Sequence, residues 1–91
     1  MQNYSTLCEL TPANSRKSFY RKAMIGRNRL GGYTLFSYGT PVAESDAEGR
    51  LRKLWDGYSL TTMAHINSFC AWIGHPSMTK SEWIDMELAV N

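Results

Sequence analysis

The apolar residues of this chain change their spacing once, at the dipeptide Asp56-Gly57. Before it, apolar and polar residues alternate from Phe19 onward, which is typical of antiparallel strands with one buried face. After it, apolar residues recur at helical spacing over Leu60–Ile73. A single change of period in a chain of 91 residues predicts the α+β class, with a sheet first and helices after it.

The sheet is predicted to be a small antiparallel β-meander over residues 18–55. Gly26–Gly32, which is rich in glycine and carries two arginines, is expected to form a flexible turn at the tip of a basic hairpin. The meander is expected to have three strands, with Tyr33–Glu44 counted as one long or broken strand. Pro41 cannot donate to a sheet ladder, so the strand around Thr40–Glu44 is expected to start there or to lie at an edge. A second turn at Ser45–Gly49 and a final strand at Arg50–Trp55 complete the meander.

One long and one short C-terminal helix are predicted within residues 59–88. Ser59 and Gly74 are expected to cap the long helix at its two ends. Thr79 and Glu82 form a capping-box pattern, which predicts the start of the short helix. The two helices are expected to pack on the meander.

One broad apolar face of the long helix is expected to cover the sheet, and it includes Leu60. Thr61, His65, Ser68 and Trp72 are expected on the opposite, polar side. Trp72 is interpreted as packing on Trp83 of the short helix, with an exposed anchor for a partner as the alternative.

The chain is expected to be one domain, 1–91, because its length leaves room for one modest core. Residues 1–15 are predicted to form an irregular N-terminal arm, with Leu7 and Leu10 packed against the body. No apolar run approaches the roughly 20 residues of a membrane-spanning helix, and the N-terminus lacks a signal-peptide pattern. We therefore expect a cytoplasmic protein without a membrane partner, in which Cys8 and Cys70 are free thiols.

Charge is distributed unevenly along the chain. Six basic residues and no acid lie between Leu10 and Phe36, namely Arg16, Lys17, Arg21, Lys22, Arg27 and Arg29. From Asp56 onward there are four acids and only one base, Lys80. This asymmetry indicates a surface with a basic side suited to an anionic partner.

Basic and aromatic residues interleave on the predicted hairpin, which is one way in which a sheet binds single-stranded nucleic acid. Arg50, Arg52 and Lys53 are expected to add charge from a neighbouring strand. The candidate residues for binding nucleic acid or a partner are Arg27, Arg29, Arg21, Lys22, Arg52, Tyr20, Tyr38 and Trp72. The two tip arginines are the strongest candidates. An acidic protein partner and a purely solvated strand face are the alternatives.

No pattern in the sequence indicates catalysis, a cofactor or a metal. His65 and Cys70 lie about 140° apart around the axis of the predicted helix, so they cannot form a dyad on it. Asp56, Ser59 and His65 supply the residue types of a hydrolytic triad without its motif. Cysteines and histidines lack the spacing of a zinc site. The sequence therefore predicts a non-enzymatic protein.

Trp55-Asp56-Gly57-Tyr58-Ser59 is the most specific of several segments that resemble a family of small uncharacterised proteins, a domain of unknown function. The other segments are Leu10–Pro12, Lys17–Tyr20, Lys22–Ala23, Thr34–Tyr38, Thr40–Ala43, Thr61–Met63, His65–Asn67 and Phe69. The resemblance spans residues 10–85 and implies a protein encoded by phages, plasmids and conjugative elements of anaerobic bacteria. It departs from the family at Arg21, where a small residue is expected. It implies no activity and no site residues.

Two functions follow as hypotheses. The first is a non-catalytic binding protein of a mobile element that contacts nucleic acid, or a nucleic-acid-bound host complex, through the basic hairpin. The second is an anti-CRISPR-like inhibitor of a host defence nuclease that binds a protein through a surface including Trp72. A homodimer through a free sheet edge or Trp72 also stays open. So does the role of Trp55–Ser59, as a strand-to-helix joint or as a functional segment.

Overall fold

The structure is a computed structural model that describes residues 7–10 and 22–89. Five antiparallel strands form one sheet in chain order, namely β1 Leu7–Glu9, β2 Ala23–Arg27, β3 Tyr33–Ser37, β4 Thr40–Ser45 and β5 Leu51–Lys53. The helices α1 (Leu60–Ile73) and α2 (Lys80–Asp85) follow. The predicted α+β class, a meander with one long and one short C-terminal helix, is confirmed. No helix in the described part of the chain is long and apolar enough to cross a membrane.

A tight turn at Tyr38-Gly39 divides the predicted long strand into β3 and β4. The two residues have φ values of 52° and 83°, and a pair of left-handed residues is the pattern of a type I′ hairpin turn. Ser37 and Thr40 are paired across the turn. Of the two forms predicted for residues 33–44, one long strand is wrong and a broken strand is confirmed, with the break forming a hairpin turn. Tyrosine rarely adopts positive φ, so Tyr38 carried no turn signal.

The N-terminal segment contributes a strand where an irregular arm was expected. Leu7–Glu9 pairs antiparallel with β2, so the arm prediction is wrong for these residues. Leu10 is 1% exposed, and its amide donates to the carbonyl oxygen of Ala23 at 2.9 Å. The rest of the predicted arm, and residues 19–21 of the predicted first strand, lie outside the described residues.

Helix α1 runs antiparallel to β3 across one face of the sheet. Near its start, Thr62 and His65 hydrogen-bond to Ser37 at the end of β3. Near its end, the ring of Trp72 contacts that of Tyr33 at the start of β3. The predicted caps are confirmed: the Ser59 side chain accepts from the amide of Thr62, and Gly74 ends the helix with φ 80°.

The buried face of α1 is more polar than predicted. His65 and Ser68 were expected on the solvated side but are 1% and 7% exposed, whereas Leu60 is 80% exposed. A hydrogen bond to Ser37 stabilises the imidazole there. The apolar core comprises Leu10, Ala23, Ile25, Leu35, Val42, Ala43, Met63, Ile66, Phe69, Cys70 and Trp83.

Lys53 fixes α2 to the sheet. Its side chain is 2% exposed, and Nζ donates to the carbonyl oxygens of Trp83 at 2.9 Å and Met86 at 3.1 Å. These carbonyls lie at the end of α2, where the last turn lacks partners and the helix dipole favours a cation. Asp56 contributes a carboxylate oxygen at 3.5 Å from Nζ. The expectation that Lys53 adds charge to the basic surface was therefore wrong.

Residues 55–59 connect the sheet to the helices through specific contacts. The Gly57 carbonyl accepts from the Trp83 indole at 3.0 Å, and a Cβ on Gly57 would collide with the ring of Trp55. The Lys80 ammonium lies 4.9 Å from the ring centroid of Tyr58. Together with the Ser59 cap, these contacts give the segment a structural role as a joint. Helix α2 itself begins with the predicted capping box.

Candidate nucleic-acid interface

The loop between β2 and β3 is organised by Asn28. Its Oδ1 accepts from the amides of Leu30 and Gly32, each at 3.0 Å. Its Nδ2 donates to Thr34 Oγ1 at 3.2 Å and to the carbonyl oxygen of Ser45 at 3.0 Å. The sequence analysis did not identify Asn28 as the residue that orders this loop. The glycine-rich segment around it indicated only that a turn lies here.

The loop is also docked on the turn between β4 and β5. The Ala47 amide donates to the Leu30 carbonyl at 3.1 Å, and the Tyr33 amide donates to Ser45 Oγ at 3.1 Å. At Gly32 a side chain is excluded, because a Cβ there would collide with the Ser45 carbonyl. The hairpin tip, expected to be flexible, is thus held by contacts on two sides.

Arg27 and Arg29 are presented by this anchored tip. Arg27 ends β2 and Arg29 lies in the loop, and both are exposed. Every other basic side chain in the described ranges has a partner: Lys22, Arg50, Arg52, Lys53 and Lys80. Within the same ranges, the side chains of Arg27 and Arg29 have no hydrogen bond, ion pair or ring contact. Their guanidinium groups are therefore available to an anion.

An aromatic pair lies beside Arg27. Arg27 is the cross-strand partner of Tyr33, which places both side chains on one face of the sheet. The rings of Tyr33 and Trp72 meet edge to face, with centroids 4.5 Å apart at 80°. Trp72 remains 48% exposed. The aromatic partner of Trp72 is therefore Tyr33, in place of the expected Trp83, which lies in the core.

We call Arg27, Arg29, Tyr33 and Trp72 the tip surface. An open cavity of about 390 Å³ adjoins it, lined in part by Tyr33 and Trp72 and on another side by Asp46 and Glu48. The structure thus combines exposed cations, an exposed aromatic face and a concave floor at one end of the sheet.

Arg50 neutralises part of the acidic side of this cavity. Its guanidinium forms ion pairs with Asp46 at 2.7 Å and with Glu48 at 2.6 Å. The Arg50 backbone amide and then its side chain, both hydrogen-bonded to Asp46, hold the pKa of that carboxyl below 3.8. Asp46 is therefore ionised at neutral pH, and the three side chains together carry about one net negative charge.

Lys22 and Tyr38 lie at the opposite end of the sheet from the tip surface. The Lys22 ammonium is 5.9 Å from the ring centroid of Tyr38, and the Tyr38 amide donates to the Lys22 carbonyl at 2.7 Å. The length of β2 separates Lys22 from Arg27 by roughly 17 Å. Among the residues that the structure describes, the single predicted basic surface is therefore divided into two surfaces.

Arg52 does not join either surface. Arg52 forms an ion pair with its cross-strand partner Glu44 at 3.0 Å, on the opposite face of β5 from Lys53. This ion pair offsets the charge that Arg52 was predicted to add to the binding patch, because a strand residue can be neutralised by a cross-strand neighbour that the sequence does not show. Tyr20 and Arg21 lie outside the described residues.

A buried polar cluster holds α1 to β3. Ser37 Oγ lies 2.8 Å from His65 Nδ1 and 3.1 Å from Thr62 Oγ1. A hydroxyl bonded to an imidazole is the arrangement of a nucleophile and its base. Here, however, Ser37, Thr62 and His65 are 2%, 5% and 1% exposed, which leaves the hydroxyl no surface for a substrate. Burial, and then the positive charge of Lys22, lower the pKa of His65 below 6.5.

The other residues weighed for catalysis have structural partners. Ser59 caps α1, and Asp56 lies by the Lys53 ammonium. Cys70 is free and buried, and burial raises the pKa of its thiol to about 11, so it stays protonated at neutral pH. Within residues 7–10 and 22–89, no group of three His, Cys, Asp or Glu side chains is placed to hold a metal ion.

Comparison with known proteins assigns the chain to a family but does not indicate a function. The model of a family of unknown function (DUF8033) matches residues 8–85. No curated protein matches the chain, and no solved structure does. The geometry of the surfaces is therefore the basis for any functional proposal.

Proposed function

The chain belongs to DUF8033, a family of unknown function, and we propose that it is a non-catalytic protein that binds nucleic acid through the tip surface. One observation carries the proposal: an anchored hairpin tip carries two exposed arginines whose side chains have no partner among the described residues, and Arg27 lies opposite Tyr33, which contacts the exposed ring of Trp72. Proteins that bind single strands combine basic side chains, which contact the phosphates, with aromatic side chains, on which the bases stack.

The order of the hairpin tip supports a role in ligand binding over the alternative that it is merely a solvated loop. A guanidinium can engage a phosphate with two parallel hydrogen bonds. Asn28 and the contacts to Ala47 already order the backbone that carries Arg29. Binding therefore loses less conformational entropy at this loop than at a mobile one.

The carboxylates of Asp46 and Glu48 are the main argument against a phosphate in the cavity itself. Arg50 offsets part of their charge, and carboxylates accept hydrogen bonds from base amino groups. We therefore place phosphates at Arg27 and Arg29, and a base at Trp72 with its edge toward the cavity.

The proposed setting is a mobile element. The sequence resemblance supports an origin in a phage, plasmid or conjugative element, with action in the cytoplasm of the host cell. In that setting the ligand is nucleic acid of the element or of the host, or a host complex that carries nucleic acid.

Fluorescence anisotropy with labelled single-stranded DNA, duplex DNA and RNA tests the proposal. The double variant Arg27→Gln/Arg29→Gln should bind at least about ten-fold more weakly than the unmodified protein, because two charge-assisted contacts are lost. Lys80→Gln is the matched control, since it removes a cation from α2, outside the tip surface. Equal affinity of the double variant and the unmodified protein would refute the proposal.

A second candidate is an anti-CRISPR-like inhibitor that binds a host defence nuclease through Trp72. The half-exposed indole beside a cavity is the observation that favours it, because tryptophan is enriched among the residues that dominate protein interfaces. Capture of one stoichiometric nuclease from nuclease-treated host lysate, lost in Trp72→Ala but retained in Arg27→Gln/Arg29→Gln, would support this candidate instead.

A further inference from the structure

Tyr38 combines backbone strain with an exposed ring. Its φ of 52° is unfavourable for a residue with a Cβ, and asparagine or glycine would adopt the same turn with less strain. Tyr38 is 57% exposed, so the burial of its ring compensates for only part of the backbone strain. A strained position that keeps an exposed aromatic side chain is a candidate for ligand contact.

The surroundings of Tyr38 resemble those of the tip surface. One cation, Lys22, lies 5.9 Å from its ring centroid. The ring centroids of Tyr38 and His65 are 5.7 Å apart, with an angle of 44° between the ring planes. The His65 ring is buried against the sheet. Tyr38 is thus supported on one side, adjacent to a cation, and open to solvent on the other.

The two aromatic sites lie along the same helix. Tyr38 contacts α1 at His65, and Trp72 is seven residues further along α1, which corresponds to roughly 10 Å of helix axis. Measured along β3, Tyr33 and Tyr38 are separated by roughly 17 Å. At about 3.4 Å per nucleotide for a stacked strand, roughly four to six nucleotides bridge this distance.

We propose that Lys22 and Tyr38 form a second base-stacking site, and that the ligand is a single strand long enough to reach from Tyr38 to Trp72. This inference rests on the proposed function of the tip surface. A single strand is favoured over a duplex because the described surface offers two unpaired arginines and two exposed aromatic faces. Duplex affinity comes mainly from many phosphate contacts, whereas one stacked base contributes roughly 5-fold to 150-fold in affinity.

The inference is tested by measuring the affinity of the protein for oligothymidylates of about three, six and ten nucleotides and for a duplex of about ten base pairs. For the unmodified protein, we expect affinity to rise at least about ten-fold from the shortest to the longest strand, with weaker binding of the duplex. Tyr38→Asn should abolish this length dependence. Tyr38→Phe should preserve it, since the ring that stacks remains.

The stability of the same variants separates ligand contact from a structural role. Tyr38→Asn should unfold at the same or a higher urea concentration than the unmodified protein, because asparagine tolerates positive φ. If Tyr38→Asn instead loses stability and keeps the length dependence, Tyr38 serves to cover His65 and the inference is overturned. Equal affinity for all three strand lengths would also overturn it while leaving the tip surface intact. Absence of binding to every oligonucleotide would overturn the proposed function as well.

Discussion

The rings of Tyr33 and Trp72 meet edge to face with centroids 4.5 Å apart, joining the end of α1 to the start of β3. Arg27 is the cross-strand partner of Tyr33, so Arg27 and Trp72 neighbour the same tyrosine. Sequence reasoning had assigned these two residues to different hypotheses, a nucleic-acid partner and a protein partner. In the structure they belong to one surface, so a single set of variants tests both.

Lys53 is expected to be among the residues most important for stability. Lys53→Met should lower the free energy of unfolding by about 2–4 kcal/mol, because the carbonyl oxygens at the end of α2 lose a buried charged donor. Urea denaturation measures the effect. Lys80→Met, on the exposed side of α2, should leave the midpoint nearly unchanged. A Lys53→Met variant as stable as the unmodified protein would contradict the buried position of this ammonium.

Asn28 is expected to control the order of the hairpin tip. Asn28→Ala removes four hydrogen bonds and should cost about 2–4 kcal/mol of stability. The amides of Leu30 and Gly32 should exchange faster with deuterium in this variant. Asn28→Asp keeps the acceptor for both amides and loses the two donations, so exchange there should be slower than in Asn28→Ala. Equal exchange in all three proteins would show that other contacts order the loop.

His65 is expected to make the protein less stable in mild acid. Because its pKa is lowered in the folded state, the unfolded chain binds the proton more readily, and folding stability falls as the pH drops below about 6.5. Above that pH, neutral His65 makes its full contribution to folding stability. The Tm should therefore decline from pH 7 to pH 5. His65→Gln, whose side chain can still hydrogen-bond to Ser37, should flatten the decline, whereas His75→Gln should retain it. An unchanged pH profile in His65→Gln would assign the decline to other groups.

The helices and their ends were predictable from sequence because local signals determine them. Ser59, Gly74 and the Thr79–Glu82 pair act on backbone groups a few residues away, so their spacing alone is informative. The change of period at Asp56-Gly57 correctly divided the sheet from the helices.

The residues that the sequence misassigned are those whose roles depend on distant partners. Lys53 resembles a solvated strand residue until the carbonyls of α2, about 30 positions later, are placed next to it. His65 resembles a solvated helix residue until Ser37 supplies a hydrogen bond. Tyr38 gave no turn signal because its conformation is unfavourable for tyrosine. The candidate site was found in part: Arg27, Arg29 and Trp72 were identified, but the position of Tyr33 as a neighbour of both Arg27 and Trp72 was not.

The salt dependence of single-stranded DNA binding tests the central claim most directly. If Arg27 and Arg29 each contact one phosphate, the slope of log K against log salt concentration should be smaller in magnitude by about 1.4 in Arg27→Gln/Arg29→Gln than in the unmodified protein. Lys80→Gln should keep the original slope. Parallel lines for the double variant and the unmodified protein would show that these arginines contact no phosphate, and would contradict the tip surface as a nucleic-acid interface.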